Sequence, residues 1–285
     1  MFRLITIHGR SALEHNGEWF DLATLSGDVA LGDPLTAVAR FNELHAWNDL
    51  CATSDAGGTV SSVVLDAPVP APRQVFAIGL NYREHAGESG MEVPPAPLTF
   101  AKFASCVVGP TADVPLSGSA VDWEAEIVAV IGTQCSHVSV DEAWSVVAGL
   151  TLGQDISDRV VQFTGAPPQF GLGKSFPAYG PTGPALVSLD SFANPDDIGL
   201  WCEVNGERMQ DARTTELIFS IPVLVAYLSS ICTLYPGDLI FTGTPSGIGA
   251  ARGQFLVAGD DIVTGAEVIG TLKNRCVPGA APLAF

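Results

Sequence analysis

The chain of 285 residues is long enough for one large domain, or for a large domain with a smaller one. Hydrophobic residues make up 47% of it, which supports a complete core, and acidic residues outnumber basic ones 31 to 13. The net charge of −18 argues against nucleic acid or an anionic membrane as a partner. The six cysteines form no Cys-x-x-Cys pair, which indicates free thiols in a reducing compartment and predicts a cytoplasmic protein.

Residues 1–66 are predicted to form a small N-terminal α/β domain. Residues 2–7 alternate like a strand, and Asn16-Gly17 between two short strands is a type I′ hairpin signal. Residues 33–48 have the apolar spacing of a helix. The alternating prolines within residues 67–74 favour a stiff, extended linker, so the large domain is predicted to cover residues 75–285.

The large domain opens with a predicted strand from Val75 to Leu80 and continues into a segment that holds His85 and Glu88. If that segment is helical, the two side chains share one face, and the carboxylate would orient the imidazole as in a general acid–base pair. The alternative is an ordinary salt bridge on a surface turn. Glycine and prolines after Glu88 favour a loop that could act as a lid.

The most informative stretch runs from Glu124 to Ile131, which is predicted to be a strand because it is rich in β-branched residues. Alternation places Glu124 and Glu126 on one face, and both faces are apolar beyond them, as in a central buried strand. Two adjacent buried carboxylates repel each other and lose hydration, and a divalent cation would offset both costs. The alternative is that both glutamates lie outside the sheet in water.

A third carboxylate, Asp155, favours the metal interpretation. Residues 140–150 are predicted to be a helix with two acidic residues in its first turn, and this helix would lead the chain to Asp155. Ligation by oxygen alone points to a hard ion, Mg²⁺ or Mn²⁺, rather than Zn²⁺, and Ca²⁺ could replace either ion in a crystal.

The remaining elements are a second hairpin, a buried helix and a tight turn. The hairpin of residues 197–209 turns at Asn205-Gly206, and two short strands follow within residues 260–274. The uncharged segment 217–235 is predicted to hold a buried helix that begins near Ser220, in preference to a membrane span. The turn of residues 243–247 is either structural or an anion-binding loop.

Taken together, these motifs resemble the fumarylacetoacetate hydrolase family. The resemblance is carried by His-x-x-Glu at 85–88, Asp-Trp-Glu-Ala-Glu at 122–126, Gly-Gln-Asp-Ile-Ser-Asp-Arg at 153–159, Gly-Lys-Ser-Phe at 173–176 and Gly-Thr-Pro-Ser-Gly at 243–247. It implies an α+β fold that is mostly β, a roll of mixed β-sheets, and a homodimer. One departure is Val160, because the family often has an aspartate after the preceding arginine.

The resemblance also implies a role for each candidate residue. The metal ligands would be Glu124, Glu126 and Asp155, and the catalytic residues would be His85, Glu88 and Lys174. The substrate would contact Tyr82, Lys102, Arg159, Gln162, Gly243 and Thr244. From residue type alone, either lysine could instead reach out to water.

The activity implied by the resemblance is that of a divalent-metal-dependent hydrolase, which cleaves a C–C bond of a β-diketo acid through a metal-stabilised enolate. The substrate would be a small anionic oxo-acid: fumarylacetoacetate-like, acylpyruvate-like or a diketo-deoxy sugar acid. His85, held by Glu88, would activate water, and Lys174 would balance negative charge. The same site could serve an oxaloacetate decarboxylase or a 2-hydroxyhepta-2,4-diene-1,7-dioate isomerase. A non-catalytic protein that binds a metal or a small molecule is the alternative from another class.

Overall fold

The structure is a computed structural model that describes residues 1–88 and 92–280. Residues 89–91, where the predicted lid loop begins, and residues 281–285 lie outside the described residues.

The strands are β1 (Arg3–Ile7), β2 (Arg10–His15), β3 (Glu18–Asp21), β4 (Gly58–Thr59), β5 (Val75–Gly79), β6 (Leu98–Ala101), β7 (Val107–Val108), β8 (Val114–Leu116), β9 (Val121–Asp122), β10 (Ala125–Ile131), β11 (Val147–Gln154), β12 (Ser157–Asp158), β13 (Gly180–Val187), β14 (Gly199–Val204), β15 (Glu207–Arg213), β16 (Leu239–Phe241), β17 (Asp261–Ala266) and β18 (Gly270–Pro278). The α-helices are α1 (Leu22–Ser26), α2 (Pro34–Ala39), α3 (Phe41–Cys51), α4 (Arg83–Glu88), α5 (Arg159–Gln162), α6 (Phe170–Gly173), α7 (Ile221–Ile231) and α8 (Gly249–Arg252). Short 3₁₀ helices cover Val29–Gly32, Val60–Ser62, Ala104–Cys106, Val140–Val146, Leu189–Ser191 and Thr214–Glu216.

The largest sheet has eleven strands, in the order β4-β3-β2-β1-β13-β11-β10-β16-β5-β6, with β7 parallel to β13. Strand β10 lies between β11 and β16, is antiparallel to both, and is buried along its whole length, as its sequence predicted. A five-stranded sheet (β15-β14-β17-β18-β8) and a two-stranded ribbon (β9 with β12) complete the β structure. This set of mixed sheets, with short helices between them, confirms the predicted fold class.

The N-terminal residues continue the large sheet. Strand β1 pairs with β13, so that Arg3 lies opposite Val187. The predicted hairpin turns at Asn16-Gly17, where φ is 53° and 81°, as a type I′ turn requires. The helix predicted over residues 33–48 is interrupted at Arg40, which separates α2 from α3. The domain boundary at residues 67–74 stays a prediction.

The prediction of a helix over residues 140–150 is wrong. A 3₁₀ helix covers Val140–Val146, and β11 begins at Val147. A capping box between Ser139 and Glu142 explains the helical start signal. The helix stops because the apolar residues that follow pair with β10 on one side and β13 on the other, and all eight residues of β11 are buried. Asp155 therefore stands at the end of a strand.

The second hairpin and the buried helix follow the prediction. Asn205 and Gly206 have φ of 52° and 81° between β14 and β15. Helix α7 begins directly after Ser220, has Pro222 in its first turn, and buries six of its eleven residues. None of the helices within residues 1–88 and 92–280 combines the length and apolar character that a membrane crossing requires.

Candidate active site

Three carboxylates meet at one end of the β10–β11 pair. Glu126 lies in β10, Glu124 directly precedes that strand, and Asp155 directly follows β11. The ladder continues past both strands, because the Asp155 N–H donates to the Glu124 carbonyl oxygen at 2.9 Å. One oxygen from each carboxylate lies within 4.8 Å of the other two, and all three residues are buried. We call Glu124, Glu126 and Asp155 the acidic triad.

The surroundings of the triad shift the pKa values of Glu124 and Glu126 in opposite directions. Burial alone would raise the pKa of Glu124, but Lys174 and Arg159 outweigh that effect and lower it to about 2. Burial raises the pKa of Glu126 well above its ordinary value, and the neighbouring carboxylates Asp155 and Glu124 raise it further. Glu126 is therefore the triad member whose ionised form most needs an added cation.

Two of the three lysines in the chain are buried at the triad. The Lys174 ammonium donates to Glu124 Oε2 at 2.8 Å, to Asp155 Oδ2 at 2.8 Å and to Ser157 Oγ at 2.7 Å. The Lys102 ammonium donates to Asp155 Oδ1 at 2.6 Å, and to the carbonyl oxygens of Lys174 and Tyr179. Burial would lower the pKa of Lys102, yet the Asp155 carboxylate raises it, so this ammonium stays charged.

An arginine connects the triad to a fourth buried carboxylate. Arg159 Nη2 donates to Glu124 Oε1 at 2.7 Å and to Asp122 Oδ2 at 2.6 Å, and Nε donates to the same Asp122 oxygen at 2.8 Å. Arg159 Nη1 donates to Gln162 Oε1 at 2.8 Å, one helical turn further along α5. Asp122 also accepts from the backbone N–H groups of Gly249 and Ala250. Arg159 and Gln162 are thus held beside the triad by short contacts.

The donor set fits a hard divalent cation. It offers carboxylate oxygens alone, and their spacing can be bridged by an ion that binds oxygen at about 2.0–2.6 Å. Four carboxylates and three basic side chains make up the buried cluster, which has one negative charge in excess when all four carboxylates are ionised to hold a cation: Asp122, Glu124, Glu126 and Asp155 against Lys102, Arg159 and Lys174. A divalent cation would convert that excess into one positive charge, which suits an anionic ligand in an acidic protein.

The His85–Glu88 pair lies on α4, above the triad. Leu80 has a φ of 54°, a left-handed conformation that costs a non-glycine residue about 1–2 kcal/mol, and there the chain turns from β5 towards α4. His85 is buried, and its Nδ1 lies 3.5 Å from Glu88 Oε2. Glu88 in turn accepts from the backbone N–H of Gly247 at 3.0 Å. The helical arrangement of this pair is the one that its spacing predicts.

The turn of residues 243–247 contacts both the triad and α4. Gly243 has a φ of 102°, and a Cβ there would lie 2.7 Å from the Asn81 Cβ, so only glycine fits. The Gly243 N–H donates to Glu126 Oε2 at 2.7 Å. Thr244 Oγ1 donates to the Ala125 carbonyl oxygen at 3.0 Å. In the structure, the anions that this turn binds are the carboxylates of Glu126 and Glu88.

A cavity of about 290 Å³ opens beside these groups. Its polar lining comes from seven of the residues described above: His85, Glu88, Glu124, Arg159, Gln162, Lys174 and Thr244. The other lining residues are apolar and lie in or directly beside β5, β6, α5, α6 and α8: Ile78, Gly79, Leu80, Phe100, Phe163, Phe170, Ile248, Ala250 and Ala251.

Not every predicted substrate contact reaches this cavity. Tyr82 and Lys102 are 1% and 3% exposed and do not line it, and neither does Gly243. Burial and then the nearby Glu126 raise the pKa of Tyr82. Val160, where the family often has an aspartate, is 63% exposed and does not line the cavity.

Sequence reasoning assigned no role to three groups of residues. Asp122 holds Arg159, although its place in the Asp-Trp-Glu-Ala-Glu motif could have marked it. Ser157, also inside a motif, accepts from Lys174. The phenylalanines of the cavity come from separate segments and share no motif.

The chain matches the model of the fumarylacetoacetate (FAA) hydrolase C-terminal family over residues 74–277. Human oxaloacetate tautomerase FAHD2A, mitochondrial, is 41% identical over 221 residues, which cover 76% of this chain and 70% of that protein.

Two solved structures are similar over nearly the whole chain. A Mycobacterium smegmatis protein with the provisional name HpcE is 42% identical, with a TM-score of 0.89, and the match covers 97% of this chain and 99% of that one. Maleylpyruvate hydrolase from Sphingobium, in complex with manganese(II) and pyruvate, is 27% identical, with a TM-score of 0.81 and coverage of 97% and 99%.

Proposed function

This chain belongs to the fumarylacetoacetate hydrolase family, and on that premise we propose that it is a divalent-metal-dependent hydrolase that cleaves a C–C bond of a 2,4-dioxo acid. The observation that carries the proposal is the arrangement of His85 and Glu88. This pair lines the same cavity as Glu124 and Lys174, so a base and a charged centre face one enclosed space. A water molecule and a small oxo-acid could meet there.

The acidic triad would hold the cation. Mg²⁺ is the ion we propose, with Mn²⁺ as the alternative, because the ligands are oxygen alone and because maleylpyruvate hydrolase was solved with manganese(II). Bound there, the cation would act as a Lewis acid that stabilises negative charge developing on the oxygens of the substrate. Lys102 would hold the Asp155 carboxylate in place for this role.

Arg159 and Gln162 would bind the substrate carboxylate. Four N–H groups of Arg159 are used within the described residues, which leaves one N–H on Nη1. Gln162 is 3% exposed and lines the cavity, and no residue in the described part of the chain accepts from its amide nitrogen. These donors can pair with one carboxylate.

His85 would act as the general base, with Glu88 as the residue that positions it. It would take a proton from water while the water oxygen bonds to C4 of the substrate. The C3–C4 bond then breaks, and its electron pair stays with C3. Return of the proton to C3 yields pyruvate and a carboxylic acid, so that one water molecule is consumed for each bond broken. Lys174, beside Glu124, would offset part of the negative charge.

Keto–enol conversion of oxaloacetate is the second candidate, because an oxaloacetate tautomerase is 41% identical over 76% of the chain. That reaction needs the same stabilisation of an enolate but no water as a nucleophile. Decarboxylation of oxaloacetate and the 2-hydroxyhepta-2,4-diene-1,7-dioate isomerase reaction stay open for the same reason. A non-catalytic binding protein is the remaining alternative.

Substitution of the base tests the proposal. We expect His85→Ala to lower hydrolysis of 2,4-dioxo acids by about 10²–10⁴-fold, because a positioned general base contributes that much. Mg²⁺ affinity, measured by calorimetry, should stay within about twofold, because His85 is not in the acidic triad. The matched control is His15→Ala, because His15 lies in β2 and does not line the cavity. Unchanged hydrolysis in His85→Ala would remove this residue from the reaction.

A substrate comparison separates the candidate functions. The protein is incubated with 2,4-dioxopentanoate and with oxaloacetate, first with Mg²⁺ and then with EDTA, and loss of each substrate is followed by absorbance. Metal-dependent loss of the dioxo acid, with one equivalent of pyruvate formed, supports hydrolysis. Conversion of oxaloacetate alone would support the second candidate. No metal-dependent change in either substrate would favour a binding protein.

A further inference from the structure

Three aromatic rings line one side of the cavity in an unbroken series. The Phe100 ring lies 5.4 Å from Lys174 Nζ, at the polar end of the cavity. Phe170 follows at 5.7 Å from Phe100, and Phe163 at 5.8 Å from Phe170, both in edge-to-face geometry. Phe163 is 48% exposed, so the series runs from the buried ammonium outwards to solvent. We call these three residues the aromatic row.

The rest of the wall is also apolar. Ile78, Leu80 and Ile248 line the cavity together with Ala250 and Ala251. Arg159, Lys174 and His85 are the basic side chains among the lining residues within the described ranges. The cavity therefore has one polar end and a long apolar side.

Within the described residues, the polar end of the cavity offers few free donors to a carboxylate. Lys174 donates its three N–H groups to Glu124, Asp155 and Ser157, so its donors are fully used. Apart from the proposed base, the free side-chain donors among the described lining residues are the single Arg159 N–H and the Gln162 amide. A second carboxylate at the outer end of the aromatic row would lose part of its hydration, and the described wall there offers it no charged partner, which is unfavourable.

We propose that the aromatic row selects monocarboxylic 2,4-dioxo acids that carry an apolar acyl chain, and that it disfavours dicarboxylic substrates. The proposal deepens the proposed function and depends on it for the identity of the reaction. The acyl chain would lie against Phe100 and Phe170 and end near Phe163.

A matched pair of substrates tests the selection directly. 2,4-Dioxoheptanoate and 2,4-dioxoheptanedioate have the same carbon chain and differ in a terminal methyl or carboxylate. We expect kcat/KM with Mg²⁺ to favour the monoacid by at least about tenfold. Lengthening the acyl chain from 2,4-dioxopentanoate to 2,4-dioxoheptanoate should raise kcat/KM by about fourfold for each methylene.

Variants of the row identify the residue responsible. We expect Phe163→Ala to remove most of the increase in kcat/KM that a longer acyl chain gives. It should change kcat/KM for 2,4-dioxopentanoate by less than about twofold, because we expect the short substrate not to extend to Phe163. Phe163→Arg should raise kcat/KM for the dioate by about tenfold, since it supplies a partner for the second carboxylate. The matched control is Phe103→Ala, because Phe103 is 56% exposed and lies outside the cavity.

A binding measurement keeps this inference separate from the reaction. N-propyl and N-carboxyethyl oxamate are 2-oxo acid analogues without a cleavable C–C bond, and their Kd is measured by calorimetry with Mg²⁺. Tighter binding of the N-propyl compound, lost in Phe163→Ala, supports the selection even if no 2,4-dioxo acid is cleaved, in which case the proposed function fails alone. Equal or tighter binding of the N-carboxyethyl compound, or an equal rate with the dioate, would overturn the inference.

Discussion

The acidic triad and the helix above it, α4, are held in the protein in different ways. Glu124, Glu126 and Asp155 come from the middle of the eleven-stranded sheet, are buried, and are tied to two lysines and an arginine. Helix α4 has six residues and rests on the turn below it. Within the described residues, two hydrogen-bonded pairs connect it to that turn: Gly247 N–H to Glu88, and Ser246 Oγ to Glu84 at 3.2 Å. The groups that define the chemistry thus lie in a buried, heavily hydrogen-bonded part of the fold, whereas the proposed base lies on a short helix with few such contacts, where we expect local opening to cost less.

The largest effect should come from the triad. Glu126→Gln preserves the shape of the side chain but removes a metal ligand, so we expect metal-dependent turnover to fall by on the order of 10³-fold or more. The rise in Tm on addition of Mg²⁺ should disappear. Glu207→Gln is the control, because Glu207 is an exposed residue of β15. A normal Tm response in Glu126→Gln would show that the cation binds elsewhere.

The next effect concerns stability rather than turnover. Lys174→Met leaves the carboxylates of Glu124 and Asp155 buried with less compensation, and we expect the free energy of unfolding of the metal-free protein to fall by about 3–5 kcal/mol. Mg²⁺ should restore part of this loss, because it compensates the same two carboxylates. Lys273→Met, at the exposed third lysine, should change stability by less than about 0.5 kcal/mol in urea unfolding. A loss below about 1 kcal/mol for Lys174→Met would contradict the structural role of this ion pair.

The pH dependence of Mg²⁺ binding tests the acidic triad further. Because the pKa of Glu126 is raised in the folded protein, its protonated form stabilises the metal-free protein at low pH, and this contribution is lost as pH rises through that pKa. The cation needs the ionised form, so Mg²⁺ affinity should increase by about tenfold per pH unit below the raised pKa. The Mg²⁺-induced shift in Tm should therefore grow between pH 5 and pH 8. A shift that is constant across this range would contradict the argument.

The smallest effect should come from α4. Ser246→Ala removes the contact with Glu84, which is partly exposed to water, and we expect kcat/KM to change by less than about threefold. Amide hydrogen exchange of residues 83–88 should become faster, while exchange in β10 stays the same. Ser62→Ala removes a comparable exposed hydrogen bond elsewhere and is the control. Faster exchange in β10 would mean that α4 and the triad open together.

The proposed metal ligands could be identified from the sequence because they depend on local rules. Strand alternation places Glu124 and Glu126 on one face, and Asp155 follows the next apolar run. The same local rules failed at residues 140–150, where a correct capping box was followed by a strand rather than a helix. Pairing with β10 and β13 outweighed the local signal there, and no single segment contains that information.

The sequence by itself determined the helical spacing of His85 and Glu88 and the two hairpins, since each depends on residues close together in the chain, and its separated motifs indicated the fold class and the acidic triad. Only the tertiary structure decided which basic side chains pair with the acidic triad and which of their N–H groups stay free, because Lys102 and Lys174 reach Asp155 from 53 and 19 residues away. It also assembled the aromatic row, since Phe100 comes from β6 while Phe163 and Phe170 come from the segment around α5 and α6. Long-range packing brings such residues together, and a pattern within one segment cannot record it.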